Sequence, residues 1–422
     1  MGDAKNKSVE TMVLHEQGDD ENEIRALQHF ISEGVWDDRA VLERHAEEVS
    51  KDLGEADGVL IIDGSDFAKQ GMDSAGVQRQ WCGELGKVEN CQAGVFLGYA
   101  SSKGYTLLDR RLYLPEKWFG PDHQEKRQKC GIAAEVAFKS KAELALEMVA
   151  EQAQLGVLPY RWLCFDAFFG RDSAFLEAVG SYGCYLAEVP SDMHVYLSPP
   201  QLGVPEYSGR GRKPSRAQVL KGKAQTVTEV ASALLPENWQ RLNLKEGSKG
   251  AIVADIAVLD VFVVQKSDRD ELALRNQWLV LRRDVLSKEL KHYLSNAPKH
   301  TPLETFARVS VMRWPIESCF EEGKQELGMG DYQLRSYRGW HHHMTLVILA
   351  HFFLVRLKLS LKDKAPKLTL PQAVLLLKAS LPQPEFDLDK AVRIVNYYQQ
   401  RHEAAYQSHR KKRLALLGEW LE

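Results

Sequence analysis

The sequence predicts an α/β fold built on a mixed sheet, with helical regions at both ends of the chain. Three observations carry that reading. The short apolar runs GVLIID (58–63) and RWLCFD (161–166) each stop abruptly on an acid, as buried strands do when they deliver a carboxylate at their end. Between them, SKAELALEMVAEQAQL (140–155) has the spacing of an amphipathic helix. Around these, the patterns run strand, strand, strand, helix, strand, helix, strand, the order of a mixed α/β sheet.

In chain order, residues 1–56 read as an acidic helical region, periodic from about Glu23 to Leu53 and broken near Asp37 and Asp38. GVLIID opens a section running over 57–190. In it, CQAGVFLGYAS (91–101) and YTLLDRRLYL (105–114) pair as a hairpin over Ser102, Lys103 and Gly104. DSAFLEAVGSYG (172–183) is a short helix and CYLAEVP (184–190) a further strand. Residues 191–300 change character. They are rich in Pro, Gly and basic residues, then carry β-type stretches at 251–265 and 276–285, and read as a β-rich basic insertion. A helix predicted from Leu303 to about Leu327 opens a helical section over 301–360, with the next helix at 339–361. The region 361–422 is helical, at 371–380 and 388–416.

At 422 residues the chain exceeds what one hydrophobic core serves, so more than one domain is expected. Hydrophobic content of 44% and charged content of 27% exclude a disordered or fibrous chain. The longest apolar run, MTLVILAHFFLV (344–355), is too short for a span and reads as a buried core helix. No basic-then-apolar leader is visible, and the six cysteines never form zinc-like CxxC pairs, which together predict reduced thiols and a cytoplasmic protein. The net charge of −3 hides an asymmetry: residues 1–60 hold 16 Asp/Glu against 6 Lys/Arg, leaving the rest near +7. Within that remainder, 207–225 carries six basic and no acidic residues, and HRKKR (409–413) forms a second cluster. Such patches neutralise phosphates, or are simply solvated loops. Charge alone decides nothing.

The chemistry is carried by Asp63, Asp166 and a stripe in RWPIESCFEEGKQELG (313–328). Phosphodiester chemistry uses two divalent cations about 3.5–4 Å apart, and carboxylates suit the hard cation Mg²⁺. Asp63 and Asp166 serve such a site if their strands are neighbours; each also reads as a helix N-cap or turn former. Arg313, Glu317 and Lys324 fall on one helix face, presenting a carboxylate between two cations, or else an exposed ion pair. Glu321 and Glu322 compete with Glu317 but lack its spacing to both cations.

The segments at 63–101, LLDRRLYLPEKW (107–118), RWLCFDAFFGRD (161–172) and RWPIESCFEEGKQELGMGDYQLRSYRGWHHHMTL (313–346) resemble bacterial insertion-sequence transposases of the DDE superfamily, from about Lys7 to Leu357. The resemblance implies a ribonuclease-H-like core with the β-rich insertion before the last catalytic helix. It implies Asp63, Asp166 and Glu317 as catalytic, metal-binding residues for two Mg²⁺, with Mn²⁺ able to replace them. The family's tyrosine-arginine-glutamate-lysine signature falls on Ser310, Arg313, Glu317 and Lys324, with Ser310 in place of the tyrosine. Gly64 and Asp66 also depart from the usual pattern of an acid, then glycine. DNA contacts are implied for Arg313, Lys324 and Lys69, and for Arg210, Arg212 and Lys213 in the basic tract.

On this reading the chain is a DNA transposase that cleaves transposon ends and joins them to target DNA. It would act as a homodimer on both DNAs, in the cytoplasm at the nucleoid. A ribonuclease-H-like nuclease, or an inactive or truncated derivative that binds DNA, are the rivals. The chain starts almost at the block NKSVE (6–10), before which the family has a further helical region, so a shortened N-terminus is expected. For Trp314 and Trp340, core packing is expected over stacking on a base. Consecutive His341, His342 and His343 point in different directions on a helix and are not expected to share a metal.

Overall fold

The computed structural model describes residues 6–16, 18–207, 209, 214–247, 250–266, 272–381 and 387–421. Three helices open it: α1 (Val9–Glu16), α2 (Glu21–Ser32) and α3 (Asp38–Leu53). The predicted break lies where Asp37 caps α3, its carboxylate accepting the amides of Arg39 and Ala40.

The strands β1 (Val59–Ala68), β2 (Gln78–Cys82), β3 (Lys87–Ala100) and β4 (Tyr105–Tyr113) follow. β1 does not end at Asp63: it runs on to Ala68 because β3 keeps pairing with it, from Val59↔Ala100 to Ala68↔Cys91. β2 has no apolar run and alternates with solvent, so its sequence carries little strand pattern. After α4 (Gln124–Lys129) comes α5 (Lys141–Leu155), opened by a capping box between Ser140 and Glu143 and closed by left-handed Gly156. Then come β5 (Trp162–Phe165), α6 (Ala167–Gly170), α7 (Ser173–Val179) and β6 (Cys184–Glu188).

β1 pairs antiparallel with β3 and parallel with β5; β3 pairs antiparallel with β4, and β5 parallel with β6. Three antiparallel strands followed by two parallel ones, in the order β4-β3-β1-β5-β6, make a ribonuclease-H-like sheet. The first four residues of β1 and all of β5 are buried on both faces, which is why they read as unbroken apolar runs.

Short strands β7 (His194–Val195), β8 (Gln201–Gly203), β9 (Gln218–Lys221) and β10 (Gln225–Thr226) lead to α8 (Val227–Ala233). Strands β11 (Gln240–Gly247), β12 (Gly250–Lys266), β13 (Leu272–Asp284) and β14 (Leu290–Ser295) form an antiparallel meander. The meander is not free-standing. β14 pairs with β6 through Tyr293↔Glu188, Leu294↔Ala187 and Ser295↔Leu186, so the sheet continues unbroken from β11 to β2. On it, Val261, Val263, Leu279 and Leu281 bury a second core with Val227 and Val230 of α8.

The single helix expected from Leu303 to about Leu327 is two, α9 (Leu303–Val309) and α10 (Trp314–Glu326). Pro315 explains the break: it has no amide to continue α9, and it suits the first turn of α10. α11 (Tyr337–Ser360), α12 (Leu370–Ser380) and α13 (Leu388–Leu421) complete the chain. Among the described residues α11 alone is long and apolar enough to cross a membrane, by length and composition. In the fold it is a core helix, with Trp340, Met344, Ile348 and Phe352 buried in the main core alongside residues of β4 and α3.

Candidate active site

The register places the first two predicted acids side by side. β1 and β5 run parallel with Ile62 opposite Phe165, so Asp63 and Asp166 occupy the next position on adjacent strands. β5 and β6 are parallel too, with Phe165 opposite Ala187, and the next position brings Glu188 beside Asp166. Three neighbouring parallel strands thus present a row of carboxylates at one edge. The sequence reading missed Glu188, although CYLAE repeats in shorter form the apolar run ending on an acid.

Asp166 takes the capping role open to it without leaving the other acids. It stands in the row and caps α6, accepting the amides of Phe168 at 3.1 Å and Phe169 at 3.4 Å. Burial raises its carboxyl above the ordinary value, while those amides and Arg313 pull it back. Asp63 is pushed up to about 7, by burial first and by the charge of Asp166 second; Arg313 and the Gly64 amide oppose the shift. Two close carboxylates in a recessed site resist ionising together.

The first turn of α10 lies over this row. Arg313 donates to Asp63 Oδ2 at 2.8 Å and to Glu317, and its Nε lies 3.6 Å from Glu188 Oε2. Burial works against the guanidinium charge, but Asp63, Glu317 and Glu188 outweigh it and raise its pKa. The competing acids face elsewhere: Glu322 accepts from Tyr105 at 3.0 Å on the core side, and Glu321 accepts from Gln325. Asp66, where the sequence departs from the family, is held by the Gly83 amide at 2.6 Å.

The remaining cations lie farther along β1. Lys324 donates to the Asp66 carbonyl at 3.1 Å, is 3.5 Å from Glu84, and sits over the Phe67 ring. Lys69 is folded inward, donating to the Tyr332 carbonyl and lying 3.4 Å from that ring's centre; burial lowers it to about 8. Arg210, Arg212 and Lys213 lie outside the described residues.

Ser310 is buried, and its hydroxyl donates to the Ala307 carbonyl within α9. Trp340 is core, as expected, but Trp314 is 62% exposed. The reason is its place at the start of α10, on the rim of a cavity of about 290 Å³ also lined by Glu188, Arg282, Tyr293, Ser310 and Arg313. The three histidines diverge, bonding the carbonyls of Tyr337, Ile31 and Gly328 respectively.

Among the described residues no three Asp, Glu, His or Cys groups already converge as a metal-ligand set. Asp63 and Glu317 are joined instead through Arg313, a cation between two carboxylates. All donors in the row are hard carboxylate oxygens, the chemistry that Mg²⁺ and Mn²⁺ take.

Comparison with known proteins bears on the family of the chain. The family described as DDE superfamily endonuclease matches residues 1–251, a span containing Asp63, Asp166 and Glu188. The probable transposase for insertion sequence element IS701 of Microchaete diplosiphon is 23% identical over 316 residues, 74% of this chain and 69% of its own. The NurA nuclease of Sulfolobus solfataricus aligns over 82% of this chain and 94% of its own at 10% identity, with a TM-score of 0.27, too low to carry any property across. With more than half its length matched by that family, the chain belongs to the DDE superfamily endonucleases.

Proposed function

We propose that the chain is a DNA transposase that cleaves the ends of a mobile element and joins the liberated 3′-hydroxyl to target DNA. The observation that carries this reading is the pairing of Asp63 and Asp166 on adjacent parallel strands, with Glu317 of α10 linked to Asp63 through Arg313. The similarity to a protein named as a probable transposase supports it.

Asp63, Asp166 and Glu317 would hold two Mg²⁺, with Mn²⁺ able to replace them. Such a pair supplies Lewis-acid charge at the attacking and leaving oxygens of phosphoryl transfer. The chain's own part is positioning and charge. The parallel register fixes Asp63 and Asp166 on rigid strands, and the proline start of α10 sets Glu317 within one turn of Arg313. Arg313 presents a planar fork that suits a phosphate, and Lys324 a point charge farther along the same helix. Trp314 offers an exposed aromatic face at the rim. Phosphate contacts by Arg210, Arg212 and Lys213 would add affinity without reading sequence, and Lys69 would join them only by leaving its seat on Tyr332. Pairing two transposon ends calls for a homodimer on DNA.

The test is cleavage and joining of labelled DNA carrying the element's own ends, with Mg²⁺ or Mn²⁺, comparing the native chain with Glu317→Gln. Products that need metal and vanish in the variant support the site, and joined products specify a transposase over a plain nuclease. A native chain that binds the DNA yet gives no product with either metal defeats the catalytic reading.

A further inference from the structure

Arg313 reaches three acids, and they are not equivalent. Asp63 and Glu317 belong to the carboxylate set proposed for metal; Glu188 stands beyond Asp166, outside that set. Both oxygens of Asp63 are engaged, Oδ2 by Arg313 at 2.8 Å and Oδ1 by the Gly64 amide at 2.7 Å. An oxygen lone pair directed at a guanidinium is a poorer ligand, and a guanidinium repels a divalent cation at contact range. Arg313 in its present seat and divalent cations on Asp63 and Glu317 therefore compete.

The neighbourhood offers the displaced guanidinium one prepared partner. Its Nε is already 3.6 Å from Glu188, so torsion of the Arg313 side chain completes the exchange without backbone movement. The cavity of about 290 Å³ lined by both residues gives room for the turn. Lys291 straddles the same carboxylate, 3.2 Å from Oε1 and 3.4 Å from Oε2, and both contacts are long enough to leave Glu188 lone pairs for a guanidinium. Tyr293, paired with Glu188 in register, fixes the strand end from the other side.

We infer that Glu188 is a positioning residue that receives the Arg313 guanidinium when Asp63 and Glu317 give it up to divalent cations. One arginine then exchanges between two sets of acids as the site loads. The inference rests on the carboxylate triad being the metal site proposed above. Glu188 keeps the freed cation at the edge of the site and off the ligands.

The test is Mn²⁺ binding to the full chain without DNA, followed by calorimetry and electron paramagnetic resonance. It uses the native protein, Glu317→Gln, Arg313→Met, Glu188→Gln and the Arg313→Met, Glu188→Gln pair. Arg313→Met should bind Mn²⁺ roughly tenfold more tightly and Glu188→Gln roughly tenfold more weakly, the size of coupling expected between contacting charges. In the Arg313→Met background, adding Glu188→Gln should change affinity by less than about twofold, because no guanidinium remains to be received. An equal loss in both backgrounds overturns the inference, since Glu188 would then act as a ligand or as bulk charge. So does an Arg313→Met variant with unchanged affinity. A native chain whose Mn²⁺ binding ignores Glu317→Gln defeats the metal-site reading itself, and the inference falls with it. Should Glu188→Gln fail to fold with Lys291 stranded, the same cycle is run with Lys291→Met in every member.

Discussion

Glu322 on α10 and His351 on α11 are joined at 2.9 Å, with the imidazole buried and its other nitrogen 3.2 Å from the Thr106 hydroxyl of β4. Tyr105 adds a bond to the second oxygen of Glu322. This chain of contacts pins the face of α10 opposite Glu317 against the sheet.

Removing its centre should therefore loosen the helix that carries the third acid. Glu322→Ala leaves a buried imidazole and the Tyr105 hydroxyl without their partner, and is expected to cost about 2–3 kcal/mol. Urea unfolding of the variant measures this. A cost near zero would mean that α10 is held by apolar packing alone.

The raised carboxyl of Asp63 sets a pH dependence of stability. Its value moves from 3.8 in the unfolded chain to about 7 in the fold, so between those limits the folded state holds a proton that the unfolded state has lost. That contribution is present at the acid end and is lost as pH rises through the window. Asp63→Asn should be more stable than the native chain at pH 8 by at least about 1 kcal/mol, and nearly equal at pH 4. Thermal unfolding in chelator at both pH values checks it; an Asn variant less stable at pH 8 would refute the assignment.

A second buried ionic group ties the N-terminal helices to the core. Asp109 is fully buried and accepts from Arg39 at 2.7 Å, Arg111 at 2.9 Å and Arg110 at 3.3 Å, while Arg111 also grips Glu151 on α5. Arg110, lowered to about 9 by burial and by Arg111, pairs with Asp38 at the start of α3. Asp109→Asn strands this cationic cluster and should cost about 3–5 kcal/mol. Hydrogen exchange should then show α3 opening ahead of β1; uniform protection would contradict a local anchor.

Gly170 lets α6 touch β6. A Cβ built there would lie 1.9 Å from the Glu188 carbonyl, so Gly170→Ala must push the end of β6 outward. The expected result is a loss of about 2 kcal/mol or more from overpacking, together with a larger fall in DNA cleavage than Gly71→Ala, whose Cβ meets nothing and whose backbone is not left-handed. Parity between the two alanine variants in cleavage would show that the row of acids tolerates the shift.

How far the sequence spoke for itself differed by element. β1 and β5 were legible because strands buried on both faces must be apolar throughout, which makes a terminal acid conspicuous. The pairing of Asp63 with Asp166 was a condition that sequence could state but not meet, because register is a long-range property. β2 carried no pattern, its exposed residues being Arg79 and Trp81 and its opposite face beginning with two glutamines. The division of α9 from α10 was written in Pro315, whose geometric cost outweighs a periodicity that runs straight through it. Trp314 misled because an aromatic beside Ile316 looks like core until the helix start turns it outward. The hold of Arg313 on Asp63 spans 250 positions and leaves no local trace.

The unbroken ladder from β11 to β2 has a mechanical meaning. Because β14 is stitched to β6 by backbone pairing at Glu188, Ala187 and Leu186, the meander cannot swing like a hinged jaw without tearing the sheet. A load applied to β12 and β13 arrives at the acids as shear along one stiff plate, with no joint along the way to absorb it.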